Sequence, residues 1–533
     1  FSFLSSIINP PRSHPEVRGM FPATHGGKYA GAFGSYGWSG EGVPNITQRL
    51  KQLKMKVSEG FRVRFKPSEA DLVSAYEYGY QFGCRVLDKE PVKPKKKGAR
   101  SLVKCLVCGE IFDSSLEICP VCGVGKENFV PVDAEESGFV NNTEEYYVIL
   151  GNGAAGFNAA KAIRERDKTG AVIMISNESY PAYNRPMLTK SIVAGLSAEQ
   201  IAIEGPDWYE QNKVYQMLGK NIAEIDMKAK EVILDDGSKV HFTKLIYALG
   251  SECFIPPMEG STLPEVVAIR RLSDVEKVEK LMSGAKNAVV IGGGVLGLEA
   301  AWELKKGGLD VKVLEVAPVL MGRQLDAGSA ELLENIAMRN GVEIRTGVSV
   351  EAIEGPEHVT GVRIAGGETF PADLVIVSAG VRANAALAGT IGAETERGVV
   401  VNAHMETSVP GVYACGDCAQ YQGVNYAIWP EAVEQGKTAG ANAAGEDLEY
   451  QPVAAALTFH GMNTALFAAG DNGKNPNLLY KTVEFQDMGK GQYYKYYFLN
   501  NRLCGVILIG DLSQMAKLTQ DLEKHASYKE VMG

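Results

Sequence analysis

Long apolar stretches are missing from this chain of 533 residues. The opening FSFLSSIINPPRS is apolar for only its first nine residues and has neither a basic flank nor an initiator Met. No later run approaches the roughly 20 residues that a membrane-spanning helix needs. The expectation is a soluble protein whose start has been removed. Positive charge is not in excess either. The 54 Lys and Arg stand against 64 Asp and Glu, a net charge of −10, which leaves no basic footprint for a phosphate backbone and excludes nucleic acid as a partner. Cysteine is too sparse for a secreted disulfide framework. Four of the nine are grouped, and the other five, Cys84, Cys253, Cys415, Cys418 and Cys504, are scattered, which points to a reducing, cytoplasmic compartment.

The four grouped cysteines are the densest chemistry in the chain. Cys105, Cys108, Cys119 and Cys122 form two CxxC pairs separated by ten residues. Each pair turns back on itself and presents both sulfurs to one point, so the set offers a tetrahedral thiolate site to iron or zinc alike. Gly109 and Gly123 follow the pairs, where a turn needs positive φ and bare N–H groups can face sulfur. The run CxxCG, CPxCG, then Gly125, Lys126 and Phe129, resembles the short rubredoxin-like modules, with Glu110 at a position where those often carry an aromatic. That resemblance implies an iron centre that carries one electron. A zinc-stabilised docking ribbon is the alternative.

Two glycine fingerprints follow. After the apolar YYVIL comes Gly151-x-Gly153-x-x-Gly156 and an Ala-rich helix, and the next strand ends at Glu178, 27 residues beyond Gly151. After NAVVI comes Gly292-x-Gly294-x-x-Gly297, and VKVLE delivers Glu315, 23 residues beyond Gly292. In such a βαβ unit the first glycine makes the turn, the second admits a pyrophosphate at the helix N-terminus, and the third lets helix and strand pack. Glu178 and Glu315 are expected to accept from ribose hydroxyls. No cation near Glu315 could serve a 2′-phosphate, which favours NADH.

The two fingerprints, with LIYALG at 245–250 and LVIVSAG at 374–380, resemble the two-dinucleotide-binding flavoprotein reductases. The resemblance implies FAD in the first fold and NADH in the second. VYACGD implies that Asp417 holds the ribityl chain, and IWPEAVEQGKTAG implies a helix that brings Trp429 and Glu431 to the pyrimidine edge of the flavin. PAYNRPMLTK resembles the strip found in NADH:rubredoxin and related ferredoxin reductases, implying Arg185 at the FAD pyrophosphate and Lys190 beside the flavin, paired with Glu299 as the catalytic couple. No CxxxxC follows Gly156, so a dithiol mechanism has no redox pair, and Thr189-Lys190 stand near where peroxide-reducing relatives carry one reactive cysteine. Cys415 and Cys418 enclose Gly416 and Asp417 of the FAD motif and are not expected to be a redox pair.

Residues 28–90 read as βαβα, and the loop containing Ser35, Tyr36, Gly37 and Trp38 resembles the isoalloxazine-binding loop of flavodoxin-like domains in flavodiiron proteins. The earlier phosphate loop of such a domain is missing, so only its C-terminal half is expected and FMN lacks part of its site. The module order resembles the C-terminal portion of multidomain flavodiiron proteins, which implies a flavodiiron catalytic domain as partner and O₂ or NO as terminal acceptor. The seven histidines form no HxExDH run, so that catalytic site is not in this sequence.

The expected architecture is multidomain α/β: 1–90 partial flavodoxin-like, 91–100 basic linker, 101–133 rubredoxin-like four-cysteine metal module, 134–143 linker, 144–256 with 383–450 FAD-binding, 257–382 NAD-binding, and 451–533 an α+β interface domain. The expected function is NADH-dependent electron transfer through FAD to the four-cysteine centre. The rival is an FAD-dependent NADH oxidase or peroxide reductase with a structural zinc ribbon. Homo-oligomerisation is left open.

Overall fold

A computed structural model describes residues 27–36, 42–58 and 60–64, scattered residues between 75 and 86, parts of 102–132, and then 138–453 and 456–533. The chain forms two compact units, 1–100 and 101–533.

In the first unit, strand Tyr29–Ala30 pairs in parallel with Lys56–Val57, and Phe33–Tyr36 pairs in parallel with Phe61–Arg64. Parallel neighbours need a crossover, which helix Gly42–Gln52 supplies. The helix lies close to the strands. A Cβ at Gly60 would sit 2.3 Å from Val43 Cγ1. Ser35 and Tyr36 end the strand Phe33–Tyr36, while Gly37 and Trp38 fall outside the described residues.

The second unit opens with an antiparallel sheet in the order Ile111–Asp113, Leu102–Cys105, Phe129–Val132. Phe112 and Phe129 close it edge to face, with centroids 4.8 Å apart. Two five-stranded parallel sheets follow. In the first, Tyr146–Leu150 is central, flanked by Ala171–Ile175 and Val214–Met217 on one side and by Lys244–Tyr247 and the late strand Val412–Ala414 on the other. The second repeats the plan around Asn287–Ile291, and each has its own three-stranded antiparallel meander, 222–241 and 350–371. Helices cover such strands on both faces, so they read as unbroken apolar runs, and Tyr147 to Leu150 have no exposed surface at all.

The last eighty residues build a five-stranded antiparallel sheet, ordered Ala456–Gly461, Thr464–Gly470, Arg502–Ile509, Gln492–Leu499, Lys481–Asp487, with helix Met515–Glu523 behind it. The Asn500-Asn501 turn has φ of 50° and 63°, the left-handed geometry a tight hairpin requires. Strand periodicity gives this sheet two buried faces. Leu466, Ala468, Tyr493, Tyr497, Ile507 and Ile509 pack with the second parallel sheet's layer. Their alternates, Phe467, Ala469, Tyr496, Phe498, Val506 and Leu508, pack with Val103, Cys105, Phe112 and Cys119 of the cysteine module. One sheet therefore joins the module to the nucleotide-binding layers.

On the first of those faces, Asp326 caps helix Ala327–Arg339 and ties it to the sheet. Its Oδ2 accepts from Lys495 Nζ at 2.6 Å, Tyr493 at 3.0 Å and Tyr497 at 3.1 Å, and its Oδ1 accepts from Ser329 N at 3.0 Å. Burial opposes ionisation of this carboxyl, but Lys495 and Ser329 outweigh burial and hold it well below the usual carboxylate range. A depressed folded-state pKa contributes stability that is present above the unfolded value near 4 and lost as pH falls toward the folded one. Asp326→Asn should cost about 1.5–3 kcal/mol at neutral pH. Thermal unfolding followed from neutral pH to about pH 3 checks this: the variant melts lower at neutral pH and its acid dependence is shallower than wild type.

Candidate functional site

Both glycine loops solve one packing problem in the same way. Gly151 has φ of +104°, and a Cβ there would lie 2.2 Å from Ala248 O; one at Gly156 would lie 2.1 Å from Gly151 O. Gly292, at φ +116°, is closed off by Ser378 O at 2.3 Å, and Gly297 by Gly292 O at 2.1 Å. Backbone thus excludes any side chain at the first and third glycines. The middle ones face open space, with only Arg185 Nε at 3.9 Å from Gly153 and nothing within 4 Å of Gly294. Gly153 and Gly294 are also the N-caps of helices Ala154–Arg166 and Val295–Lys306, and neither helix has a side-chain cap. The uncapped N–H groups and the helix dipole are free to take a pyrophosphate, so the residues present fit a dinucleotide at each loop.

A cleft of about 670 Å³ opens from the first loop and reaches the start of the second helix. This lies within the size range of cofactor pockets. Gly151, Gly153, Glu178, Arg185, Lys190, Glu299, Asp417 and Trp429 all line it, so eight of the expected residues are brought together. Glu178 accepts from Tyr183 Oη at 2.5 Å and pairs with Arg185, whose Nη1 also reaches Arg270 O at 2.7 Å. Asp417 accepts from Arg270 Nη2 at 2.6 Å and from Ser251 Oγ at 2.8 Å. Glu315 stands at the second loop, its carboxylate accepting from Gly293 N at 2.5 Å and Ala317 N at 2.7 Å.

Two expectations are corrected. Lys190 and Glu299 both line the cleft but form no ion pair; Glu299 Oε2 instead accepts from Thr189 Oγ1 at 2.6 Å. Thr189 is buried with Glu299, whereas Lys190, one residue on, is only partly buried. Burial pushes the Glu299 carboxyl up against the opposing charge of Lys190 and the Thr189 bond. Glu431 does not line the cleft. In helix Trp429–Ala443, Trp429 and Ala432 share the cleft face, and Glu431 turns away to accept from Tyr450 Oη.

Trp429 also packs against the cluster that contains Cys105 and Cys119, which are 0% and 2% exposed. Cys108 and Cys122 lie outside the described residues, and among the described residues no group of three His, Cys, Asp or Glu is placed to hold a metal. Cys415 and Cys418 are fully buried, and burial keeps both thiols neutral, Cys418 being pushed up to about 12. Neither is poised as a nucleophile.

Residues 146–436 match the family model for pyridine nucleotide-disulphide oxidoreductase, and residues 456–526 match that for the rubredoxin NAD⁺ reductase C-terminal domain. The chain belongs to the pyridine nucleotide-disulphide oxidoreductase family. The NAD(P)H nitrite reductase of Bacillus subtilis is 33% identical over 385 residues, which cover 72% of this chain and 48% of that one. The chain thus spans about half the length of that relative. The NADH-rubredoxin oxidoreductase of Clostridium acetobutylicum is 29% identical over 385 residues, covering 72% of this chain and 96% of that one. A crystal structure of NADH:rubredoxin oxidoreductase from Clostridium acetobutylicum superposes with a TM-score of 0.61 at 29% identity, over 72% of this chain and 96% of that one. Among the described residues, no helix is long and apolar enough to cross a membrane.

Arg270, Ser251 and Tyr183 escaped the sequence reading because no spacing marks them. Arg270-Arg271 reads as an ordinary polar lead into helix Leu272–Met282, and only the fold carries it across to Asp417. Overpacking of a closed backbone site costs about 1–3 kcal/mol, so Gly156→Ala in the reductase should weaken FAD retention roughly tenfold. The ratio of flavin to protein absorbance after purification measures this.

Proposed function

We propose that the chain transfers electrons from NADH, through FAD, to a one-electron centre held by Cys105, Cys108, Cys119 and Cys122. The observation that supports it most is the double contact of Trp429, which lines the flavin-sized cleft and packs against the cluster holding Cys105 and Cys119. FAD, when bound, supplies the conversion from hydride acceptance to single-electron donation that no side chain of this protein can perform.

In this reading the chain's own residues orient and exclude. Gly151, Gly153 and Gly156 seat the FAD pyrophosphate with Arg185, Glu178 takes its ribose, and Asp417, pinned by Arg270 and Ser251, takes the ribityl hydroxyls. Lys190 and Glu299, which line the same cleft, would border the bound flavin. Gly292, Gly294 and Gly297 seat the NADH pyrophosphate, and Glu315 accepts from the ribose 2′-hydroxyl and repels a 2′-phosphate. Holding both cofactors in one fixed orientation would be the chain's main contribution to the hydride step. The four thiolates suit iron, which would supply the one-electron couple; zinc satisfies the same ligands and would supply none. In the same reading the onward acceptor is a flavodiiron O₂- or NO-reducing domain, and residues 1–90 are the C-terminal half of a flavodoxin-like domain.

The experiment that tests the relay replaces Cys105 and Cys119 with Ser together. Reduction of bound FAD by NADH should persist, while turnover with the physiological acceptor falls at least tenfold, about 1.4 kcal/mol of lost transition-state stabilisation. Unchanged turnover rejects the relay and leaves the oxidase reading, and purified protein containing zinc and no iron makes the module a docking ribbon. Separately, Glu315→Ala should reduce the preference for NADH over NADPH roughly tenfold, since charged hydrogen bonds contribute about 1.5–3 kcal/mol. Steady-state kcat/KM for the two nucleotides measures it.

A further inference from the structure

The relay leaves a proton behind. A hydride from NADH is one proton with two electrons, and a thiolate-bound one-electron centre accepts the electrons alone. For each NADH consumed by two single-electron transfers, one proton therefore remains in the cleft and must reach water. We propose that helix Val295–Lys306 carries it out, from Glu299 at the cleft to Glu303 and then to water beside Lys306. The route rests on the electron-transfer reading above.

Glu299 and Glu303 are one helical turn apart on the same face, a spacing of about 5–6 Å between their Cβ atoms that two carboxyl groups or a single water can bridge. Glu299 lines the cleft. As residues, Glu299 is 8% exposed and Glu303 6%. Glu303 Oε1 holds Lys306 Nζ at 2.6 Å, and the Lys306 side chain is 43% exposed, so this end of the row reaches the surface. Glu303 Oε2, by contrast, is buried and has no hydrogen-bond partner. A buried carboxylate oxygen without a donor is costly in a purely structural role, and it is a ready acceptor for a proton arriving from Glu299.

The surrounding charges keep the row able to shuttle. Helix Leu188–Ala194 brings Thr189, whose hydroxyl donates to Glu299 Oε2 at 2.6 Å, and Lys190. Strand Ala456–Gly461 brings His460, whose buried Nε2 is likewise unpartnered. Burial and then Lys190 push His460 down, so it stays neutral and adds no positive barrier. Burial pushes Glu299 up, Lys190 and Thr189 oppose this, and Glu303 reinforces it, so Glu299 holds a proton more readily than an exposed carboxyl does.

The test uses the FAD-loaded full chain in weakly buffered anaerobic solution with a pH-indicator dye, NADH, and ferricyanide as the one-electron acceptor. Wild type should release protons in step with NADH oxidation. Glu303→Gln should release them roughly tenfold or more slowly, with a larger solvent isotope effect, and Glu303→Asp should recover much of the rate. Proton release at the wild-type rate in both Glu303→Gln and Glu299→Gln overturns the route. Ferricyanide draws single electrons whether or not the cysteines relay them, so that result is distinct from failure of the Cys105 and Cys119 test. A measurement on wild type guards against misfolded variants. The infrared difference between oxidised and NADH-reduced protein should contain a carboxylic-acid band that shifts in D₂O and vanishes in Glu299→Gln, and a wild-type difference spectrum without that band also overturns the proposal.

Discussion

The five-stranded antiparallel sheet of residues 456–509, whose strands Thr464–Gly470, Gln492–Leu499 and Arg502–Ile509 bury side chains on both faces, is the constraint on which the arrangement depends. An antiparallel sheet usually leaves one face to solvent. Here Leu466 and Ala468 point to the second nucleotide-binding layer while Phe467 and Ala469 point to the cysteine module. Each large apolar side chain so buried contributes about 1.5–3 kcal/mol, and the alternation fixes register as well as stability, because a one-residue slip would exchange the faces. The Asp326 cluster then pins the sheet against the second nucleotide-binding layer. Through this sheet the cysteine module shares one apolar cluster with the residues against which Trp429 packs.

The cleft separates the work of backbone from the work of charge. Backbone alone closes the first and third glycines of each loop and leaves the helix ends open, and this needs no ligand to be in place. The charged residues are already cross-braced, Glu178 by Arg185 and Tyr183, Asp417 by Arg270 and Ser251. Such bracing holds the acceptors where ribose and ribityl hydroxyls are expected and lowers the ordering cost of binding. Toward the second loop the wall changes character. Glu299 is buried and carries a raised pKa, and the row it starts along the helix gives the cleft an exit for protons distinct from its exit for electrons.

Much of this was legible in the sequence because it is written in spacings. The glycine triplets, the strands that precede them and the acidic residues that follow placed both parallel sheets, and the Asn-Asn turn between alternating runs placed the last hairpin. Residues acting through tertiary contact were not legible. Arg270 lies 147 positions from Asp417 and belongs to no motif. Lys190 and Glu299 share the cleft and interact through their charges, but the hydrogen bond to the buried carboxyl comes from a neighbouring hydroxyl, Thr189, which no motif marks. Glu431 was assigned to the cleft along with Trp429, but residues two apart on a helix do not share a face. The cysteine module shows the limit from the other side: its cysteine spacing is plain in sequence, and only the fold reveals that Cys105 and Cys119 join the apolar cluster against which Trp429 packs.

Anaerobic reduction by NADH, followed by stopped-flow absorbance across the flavin and ferric-thiolate bands, tests the central claim most directly. The account predicts that both sets of bands bleach, the thiolate bands at a rate independent of protein concentration because donor and acceptor share one chain. Full bleaching of the flavin with the thiolate bands unchanged would contradict it.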